Sequence, residues 1–264
     1  MEKQAVPPDG SLLESDFNDG VLILTLNRPR RFNALSRNSL NALHVALDKV
    51  ADNHSARAVV IAANGDAFCA GHDLKEMTAA NNPAFVAEMF QLCSGMMLKI
   101  AALPVPVIAE VNGMATAAGC QLVAQCDLAV AADHARFAVS GVNLGLFCST
   151  PAVPLSRTVS RKRAAEMLMT GEFIDAATAL DWGLVNRVVP AATLRAETMR
   201  LAESLKAKPR ATLAAGKALL YRQMELGLAA AYQDASRAIA FDFMQPEAQE
   251  GVAAFLKKRK PEWT

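Results

Sequence analysis

The 264 residues, 52% of them hydrophobic, hold enough apolar material for one large domain or for a core with an appendage. A net charge of +1 argues against nucleic acid as the main partner, which would call for a basic face. Cys69, Cys93, Cys120, Cys126 and Cys148 are odd in number and show no C-x-x-C spacing, so neither a disulfide framework nor a zinc site is indicated, no metal is expected, and a reducing compartment fits.

The stretch up to Ser15 reads as a loose lead-in, with turn chemistry at Pro7-Pro8-Asp9-Gly10. It has no apolar signal core and no arginine-rich amphipathic pattern, and no apolar run reaches membrane-spanning length. These features predict a soluble cytoplasmic protein with no membrane partner. Val21 to Leu26 predicts a strand and Pro29 to Phe32 a basic loop. Ser36 is an N-cap ahead of Leu40, Leu43, Leu47 and Val50, which recur at helical spacing. Val59 to Ala63 is apolar and β-branched, a buried strand. Asn82-Pro83 opens a second long helix, a cap followed by proline at the first position. Its face is Phe85, Met89, Leu92, Met96 and Ile100, a methionine-rich stripe read as core rather than as the wall of a flexible ligand. Pro104 to Val111 is a short strand introduced by two prolines, and Leu128 to Ala132 another. Phe137 to Gly145 is irregular. Phe147 to Pro151 is a turn before a helix that holds Arg161-Lys162-Arg163, read as a solvated basic face. Leu184 to Val189 is the last strand, and from Ala191 onward only helical patterns remain. The class is α/β, with strands in front and helices behind.

Two stretches carry chemistry. After the strand ending at Val111 come the turn pair Asn112-Gly113 and the small residues Ala115, Thr116, Ala117, Ala118 and Gly119, and then Leu122, Val123 and Cys126 on one helical face. Such a corner leaves backbone N–H groups free at the helix start, and small side chains let a ligand approach the main chain. Taken alone it serves equally well as a tight packing corner. The strand ending at Ala63 leads into a second corner, Asn64-Gly65-Asp66 and then Ala67 to Met77, again small residues opening a helix. Two such corners can each aim an N–H at one point, which is what a thioester oxygen needs as it gains negative charge. No G-x-G-x-x-G follows a strand, no G-x-S-x-G elbow occurs, and His44, His54, His72 and His134 form no metal spacing. Only His72 falls inside a motif.

The segments FCAGHDLKEM and NGMATAAGCQLVAQCDLAVA, the Asn27-Arg28-Pro29-Arg30-Arg31-Phe32-Asn33-Ala34-Leu35 segment and the ending Phe255-Leu256-Lys257-Lys258-Arg259-Lys260 resemble, in order, those of the enoyl-CoA hydratase/isomerase (crotonase) family. The resemblance runs from about Val21 to Trp263. It is strongest to the subgroup sharing the wording GHDLKE, ATAAGCQLVA and GLFCSTP. It implies a spiral of repeated ββα units over residues 1–200, carrying an acyl-CoA site, and a helical trimerisation region over 201–264. It implies a homotrimer or a dimer of trimers, a CoA thioester as substrate and no separate cofactor. The backbone N–H groups of His72 and Ala118 match the two oxyanion donors. Ala70, Asp73, Leu74 and Lys75 match the segment lining the CoA groove, and Arg30 a basic residue beside the nucleotide. Phe255 and Lys258 match the pair that a neighbouring subunit lends to the adenine and its phosphate. Where the family often has glycine at position 118, alanine still offers its N–H but excludes a strongly positive φ.

Two positions depart from the pattern. The glutamates that family hydratases use to deliver water are here Gln121 and Gly141. Glutamine can orient a water but cannot accept and return a proton, and glycine can do neither. Three readings stay open: an acyl-CoA isomerase or decarboxylase using other groups, a weak enoyl-CoA hydratase, or an acyl-CoA-binding module without catalysis. For the decarboxylase, the family parallel is the histidine of the Ala-Gly-His-Asp turn.

Overall fold

The computed structural model describes residues 11–263, so the turn expected at Pro7–Gly10 lies outside them. The lead-in ends sooner than expected. β1 (Leu13–Asn18) already pairs antiparallel with β2 (Val21–Leu26) across Asp19-Gly20, both at positive φ, the conformation that a two-residue hairpin turn demands. α1 (Arg37–Asp52) starts at the expected cap, where the Ser36 side chain accepts from the Ser39 N–H, and it buries Leu40, Leu43, Leu47 and Val50.

One unit then repeats. β3 (Ala58–Ala63) is followed by β4 (Ala67–Cys69), α2 (Leu74–Ala80) and α3 (Pro83–Ala102). β5 (Val107–Val111) is followed by β6 (Met114–Thr116) and α4 (Ala118–Gln125). β7 (Leu128–Ala132) is followed by β8 (Arg136–Ala138), α5 (Ser149–Thr158) and α6 (Arg161–Thr170). The first strand of each unit joins a six-stranded sheet and the second a four-stranded one. β9 (Ile174–Asp175), α7 (Ala176–Trp182) and β10 (Arg187–Val189) complete the sheets, in the orders β1-β2-β3-β5-β7-β10 and β4-β6-β8-β9. From β2 to β10 the large sheet is parallel. Its central strands are apolar on both faces because both are covered. Val59 and Ile61 face the main core with Phe68, Met96 and Phe137, while Ala58, Val60 and Ala62 face a second layer made with Leu194, Leu201 and Ala202. Those last three belong to α8 (Leu194–Lys206), which packs on β3, β5 and β7. Residue 200 therefore falls inside a core helix. The helices that leave the core are α9 (Arg210–Gln223), α10 (Leu228–Phe243) and α11 (Pro246–Leu256), in which only Lys217 and Ala254 are buried.

Several expectations need correction. Each corner read as strand, turn and helix contains a further three-residue strand, β4 or β6, and Phe137 lies in β8 rather than in an irregular stretch. The helix expected around Arg161 is two helices: the first runs from Ser149 to Thr158 and the basic triplet opens the second. The last strand begins at Arg187, not Leu184. α3 is, against the reading of the sequence, long and apolar enough to cross a membrane by length and composition. Its apolarity serves the core instead: Met89, Cys93, Met96, Met97 and Ile100 are buried, which bears out the stripe as packing.

Candidate functional site

Two chain corners meet at the open end of β4 and β6. In the first, His72 forms a parallel bridge with Leu35: the Leu35 N–H donates to the Gly71 carbonyl at 2.7 Å and the Asp73 N–H to the Leu35 carbonyl at 3.0 Å. In such pairing the residue between faces the other way. The His72 N–H accordingly has no acceptor among the described residues. In the second corner Ala117 takes φ 51° and ψ −119°, a conformation that costs an L-residue about 1–3 kcal/mol and is kept where the surroundings enforce it. Here the enforcing contact is its N–H, bonded to the Ala138 carbonyl at 3.0 Å. As the alanine at 118 required, Ala118 has no positive φ; that conformation falls one residue earlier, at Ala117, and Ala118 is the first residue of α4 with its N–H unpartnered.

The corners touch. A Cβ on Gly71, which has φ +91°, would lie 2.9 Å from the Ala117 Cβ and 3.2 Å from the Ala118 nitrogen. Gly119 likewise backs onto the Cys69 carbonyl with no room for a side chain. Two unpaired N–H groups, one from each corner, thus sit beside one another in a wall of glycine and alanine. An arrangement of this kind can bind an oxygen that carries or gains negative charge.

Around them stand neutral side chains. Burial pushes the His72 imidazole down to about 4, so it is uncharged at pH 7; its ring lies edge-on to Phe90 at 4.8 Å, and its Nε2 is buried without a partner. Gln121, one helical turn beyond Ala118, is 3% exposed, and its Oε1 is also unpartnered. On the far side the Thr116 and Ser140 hydroxyls bond each other at 3.0 Å, and the Gly141 N–H donates to the Cys148 Sγ at 3.2 Å. Burial raises the Cys148 thiol, so it keeps its proton. A Cβ at Gly141 would meet the Leu146 carbonyl at 2.5 Å and the Cys148 Sγ at 2.7 Å, so this backbone has no place for a glutamate there.

The expected groove residues divide. Asp73 caps α2 by accepting from the Glu76 N–H at 3.3 Å and pairs with Arg28 at 3.0 Å. Burial alone would raise its pKa, but Arg28 and that N–H outweigh burial and hold it below the usual carboxylate range. Its carboxylate is therefore occupied in holding the corner. Ala70 is half-buried, and Leu74, Lys75 and Arg30 are exposed. Phe255, 81% exposed, and Lys258 lie at and just beyond the end of α11, which packs on α10. Two supporting residues were not singled out from sequence. Arg28 bonds both Asp73 and the Ala34 carbonyl, and buried Asn33, at φ 54°, bonds the Asn64 and Ala67 carbonyls and the Arg28 N–H. An asparagine after a basic turn was the available signal, since asparagine tolerates the left-handed region.

A ββα spiral that sets two small-residue corners face to face is the architecture of one class, and the chain belongs to the enoyl-CoA hydratase/isomerase family, whose sequence profile matches residues 16–264. Within that class it is similar to enoyl-CoA hydratase domain-containing protein 3, mitochondrial, of Mus musculus, 49% identical over 93% of this chain and 82% of the relative. A solved structure of human enoyl-CoA hydratase domain-containing protein 3 superposes with a TM-score of 0.92 at 47% identity, covering 96% of this chain and 100% of the other. A crystal structure of an enoyl-CoA hydratase from Mycobacterium smegmatis gives 0.94 at 56%, covering 96% and 99%. The relatives of that subgroup from mouse, rat, human, frog and fish are all named mitochondrial, which overturns the cytoplasmic placement expected from the sequence.

Proposed function

We propose that this protein binds a CoA thioester with its carbonyl oxygen between the His72 and Ala118 N–H groups, stabilises negative charge there, and is a poor hydratase of short enoyl thioesters. The observation that carries the reading is the contact between the corners, with Gly71 against Ala118 and both N–H groups left unpaired. Hydration needs a base to activate water and an acid to protonate carbon. Gln121 and Gly141, at the positions the family fills with glutamate, supply neither, and groups of that kind typically contribute ~10²–10⁴-fold. Chemistry at this site then falls to a decarboxylation, in which loss of carbon dioxide leaves the charged intermediate without a side-chain base, or to an isomerisation whose proton is moved by groups other than these two; binding without turnover is the remaining reading. Arg30 and Lys75 are exposed and would supply positive charge to the CoA phosphates.

The assembly proposed with it is a homotrimer or a dimer of trimers in which a neighbour's Phe255 and Lys258 complete the nucleotide end. In support, α10 and its cap leave the large apolar side chains Leu228, Tyr232, Ile239, Phe241, Phe243 and Met244 exposed, and exposed apolar surface on that scale is a mark of an interaction face. The test pairs acetoacetyl-CoA binding with Gly71→Ala. Wild type binds and the variant, whose new methyl crowds the Ala118 nitrogen, loses most of its affinity. Absence of binding in the wild type would sink the reading, and so would unchanged binding in the variant.

A further inference from the structure

α11 closes on a residue that resists the conformation it holds. The Lys258 N–H donates to the Phe255 carbonyl at 3.1 Å and the Arg259 N–H to the Ala254 carbonyl at 3.0 Å, the two bonds of a helix-ending reversal whose pivot takes positive φ. Glycine ordinarily fills that pivot; here it is Lys258, at φ 53°. A lysine stays there only where the surroundings enforce it, and such residues gather where geometry serves a function. The enforcing contacts come from the chain on either side. Glu250, half-buried on α11, accepts from both ends of the Arg259 guanidinium, at 2.5 and 2.8 Å, and from the Glu262 N–H at 2.8 Å. Arg259, and after it that N–H, hold the Glu250 carboxyl down at about 2, so it is ionised at neutral pH. Gly251, the next residue, leaves room for the Trp263 ring, which a Cβ there would meet at 3.2 Å. Glycine inside a helix weakens it, and the ring gives the reason for this one. The Trp263 Nε1–H in turn donates to the Ala207 carbonyl at 3.0 Å, where α8 ends.

We propose that Glu250, Arg259 and Trp263 form a clasp that sets Lys258 toward the nucleotide end of a CoA bound by a neighbouring copy, with Glu250 as the positioning residue. The proposal rests on the thioester reading above and on the neighbour's contribution stated there. An exposed ion pair ordinarily adds little to stability, because two free side chains must be fixed to make it. This one is bidentate and takes a backbone N–H as well, so what it fixes is a direction. In the run Lys257-Lys258-Arg259-Lys260 the arginine is engaged in the clasp, and the three lysines are left exposed. A lysine carries a point charge on a flexible stem, so it meets a phosphate at a set place only if its backbone is set. Without the clasp, residue 258 relaxes to the negative φ that lysine prefers and its side chain leaves in another direction. The charge then remains on the protein while its contact with the ligand is lost.

Titration calorimetry tests it with acetoacetyl-CoA and with acetoacetyl-pantetheine, which carries the same thioester without nucleotide or phosphates. The proteins are wild type, Glu250→Ala, Lys258→Ala and the double variant. Glu250→Ala loses about tenfold in affinity for the CoA thioester and less than about twofold for the pantetheine one. Because Glu250 acts through Lys258, the double variant binds the CoA thioester as Lys258→Ala does, to within about twofold. The mass in solution stays that of the wild type. Equal losses for the two ligands, no loss, additive effects of the two substitutions, or a changed mass each overturns the proposal; the last would make the clasp part of the assembly instead. If Glu250→Ala does not fold, Trp263→Phe carries the same comparison. It keeps a ring over Gly251, removes the N–H to Ala207, and loses about threefold for the CoA thioester alone. If the wild type binds neither ligand, the thioester reading fails. If Lys258→Ala binds both as the wild type does, the neighbour's contribution fails. If Lys258→Ala loses the CoA thioester selectively and Glu250→Ala does not, this proposal alone fails.

Discussion

His72 is a histidine placed where its charge cannot serve. Buried against Phe90, it titrates near 4 when folded and near its ordinary 6.5 when unfolded. Between those values the unfolded chain binds the extra proton. Stability therefore falls as pH drops from about 6.5 to about 4, by up to about 3 kcal/mol. His72→Gln is expected to remove that part of the acid sensitivity; urea midpoints of wild type and variant across this range check it, and parallel curves would contradict it. Thioester affinity should show no inflection near pH 6.5, because the contribution expected of His72 comes from its backbone. At Gly141 the crowding is structural. Gly141→Ala forces the Cys148 Sγ and the Leu146 carbonyl apart, an overpacking worth about 1–3 kcal/mol. Thermal denaturation of Gly141→Ala with and without Cys148→Ala measures it: the double variant recovers part of the loss, and failure to recover any would assign the strain to the backbone alone.

Among the elements, α9 is the hinge of the account. Its Lys217 reaches into the core, donating to the Ile100 and Val105 carbonyls and, at 2.6 Å, to Asp127, which also accepts from Tyr221 at 2.9 Å and the Val107 N–H at 2.7 Å. Removing one partner of a buried pair costs about 3–5 kcal/mol, whereas replacing both can be near neutral. Lys217→Met should thus detach the carboxy-terminal helices, and Lys217→Met with Asp127→Asn should restore much of the stability. Chemical denaturation of the two variants decides it. Deleting the chain after Gln249, which removes Phe255 and Lys258, should weaken both assembly and CoA binding while leaving the core folded. The long elements were legible because their signals are local: the Ser36 cap, the Asn82-Pro83 start and the doubly buried β3. β4, β6 and β8 were not, since three residues cannot show a period of two. The strain at Ala117 and the Cys148 contact at Gly141 were hidden for another reason: the first is enforced by Ala138, distant in sequence, and the second by how the chain between Gly141 and Cys148 folds back, which no local pattern announces. The buried Lys217 looked like any surface lysine in a helical stretch.

For the whole molecule, the N–H pair is backbone held by strand pairing and by the Arg28, Asn33 and Asp73 contacts, none of which is a proton-transfer group of the site. A scaffold of that kind can keep its grip on a thioester after its proton-transfer groups are gone. Restoring those groups is not a matter of two substitutions. Gln121→Glu puts a carboxylate on the first turn of α4, but Gly141→Glu has no room, so Gln121→Glu alone should leave hydration slow. The central claim, a working thioester platform without efficient hydration, is tested most directly by one measurement on wild-type protein: the loss of the conjugated enoyl absorbance of crotonyl-CoA, made on a preparation that binds acetoacetyl-CoA. The predicted result is binding together with turnover far below the ~1–10³ s⁻¹ typical of enzymes. Turnover within that range would contradict the account, because groups other than Gln121 and Gly141 would then be moving the protons.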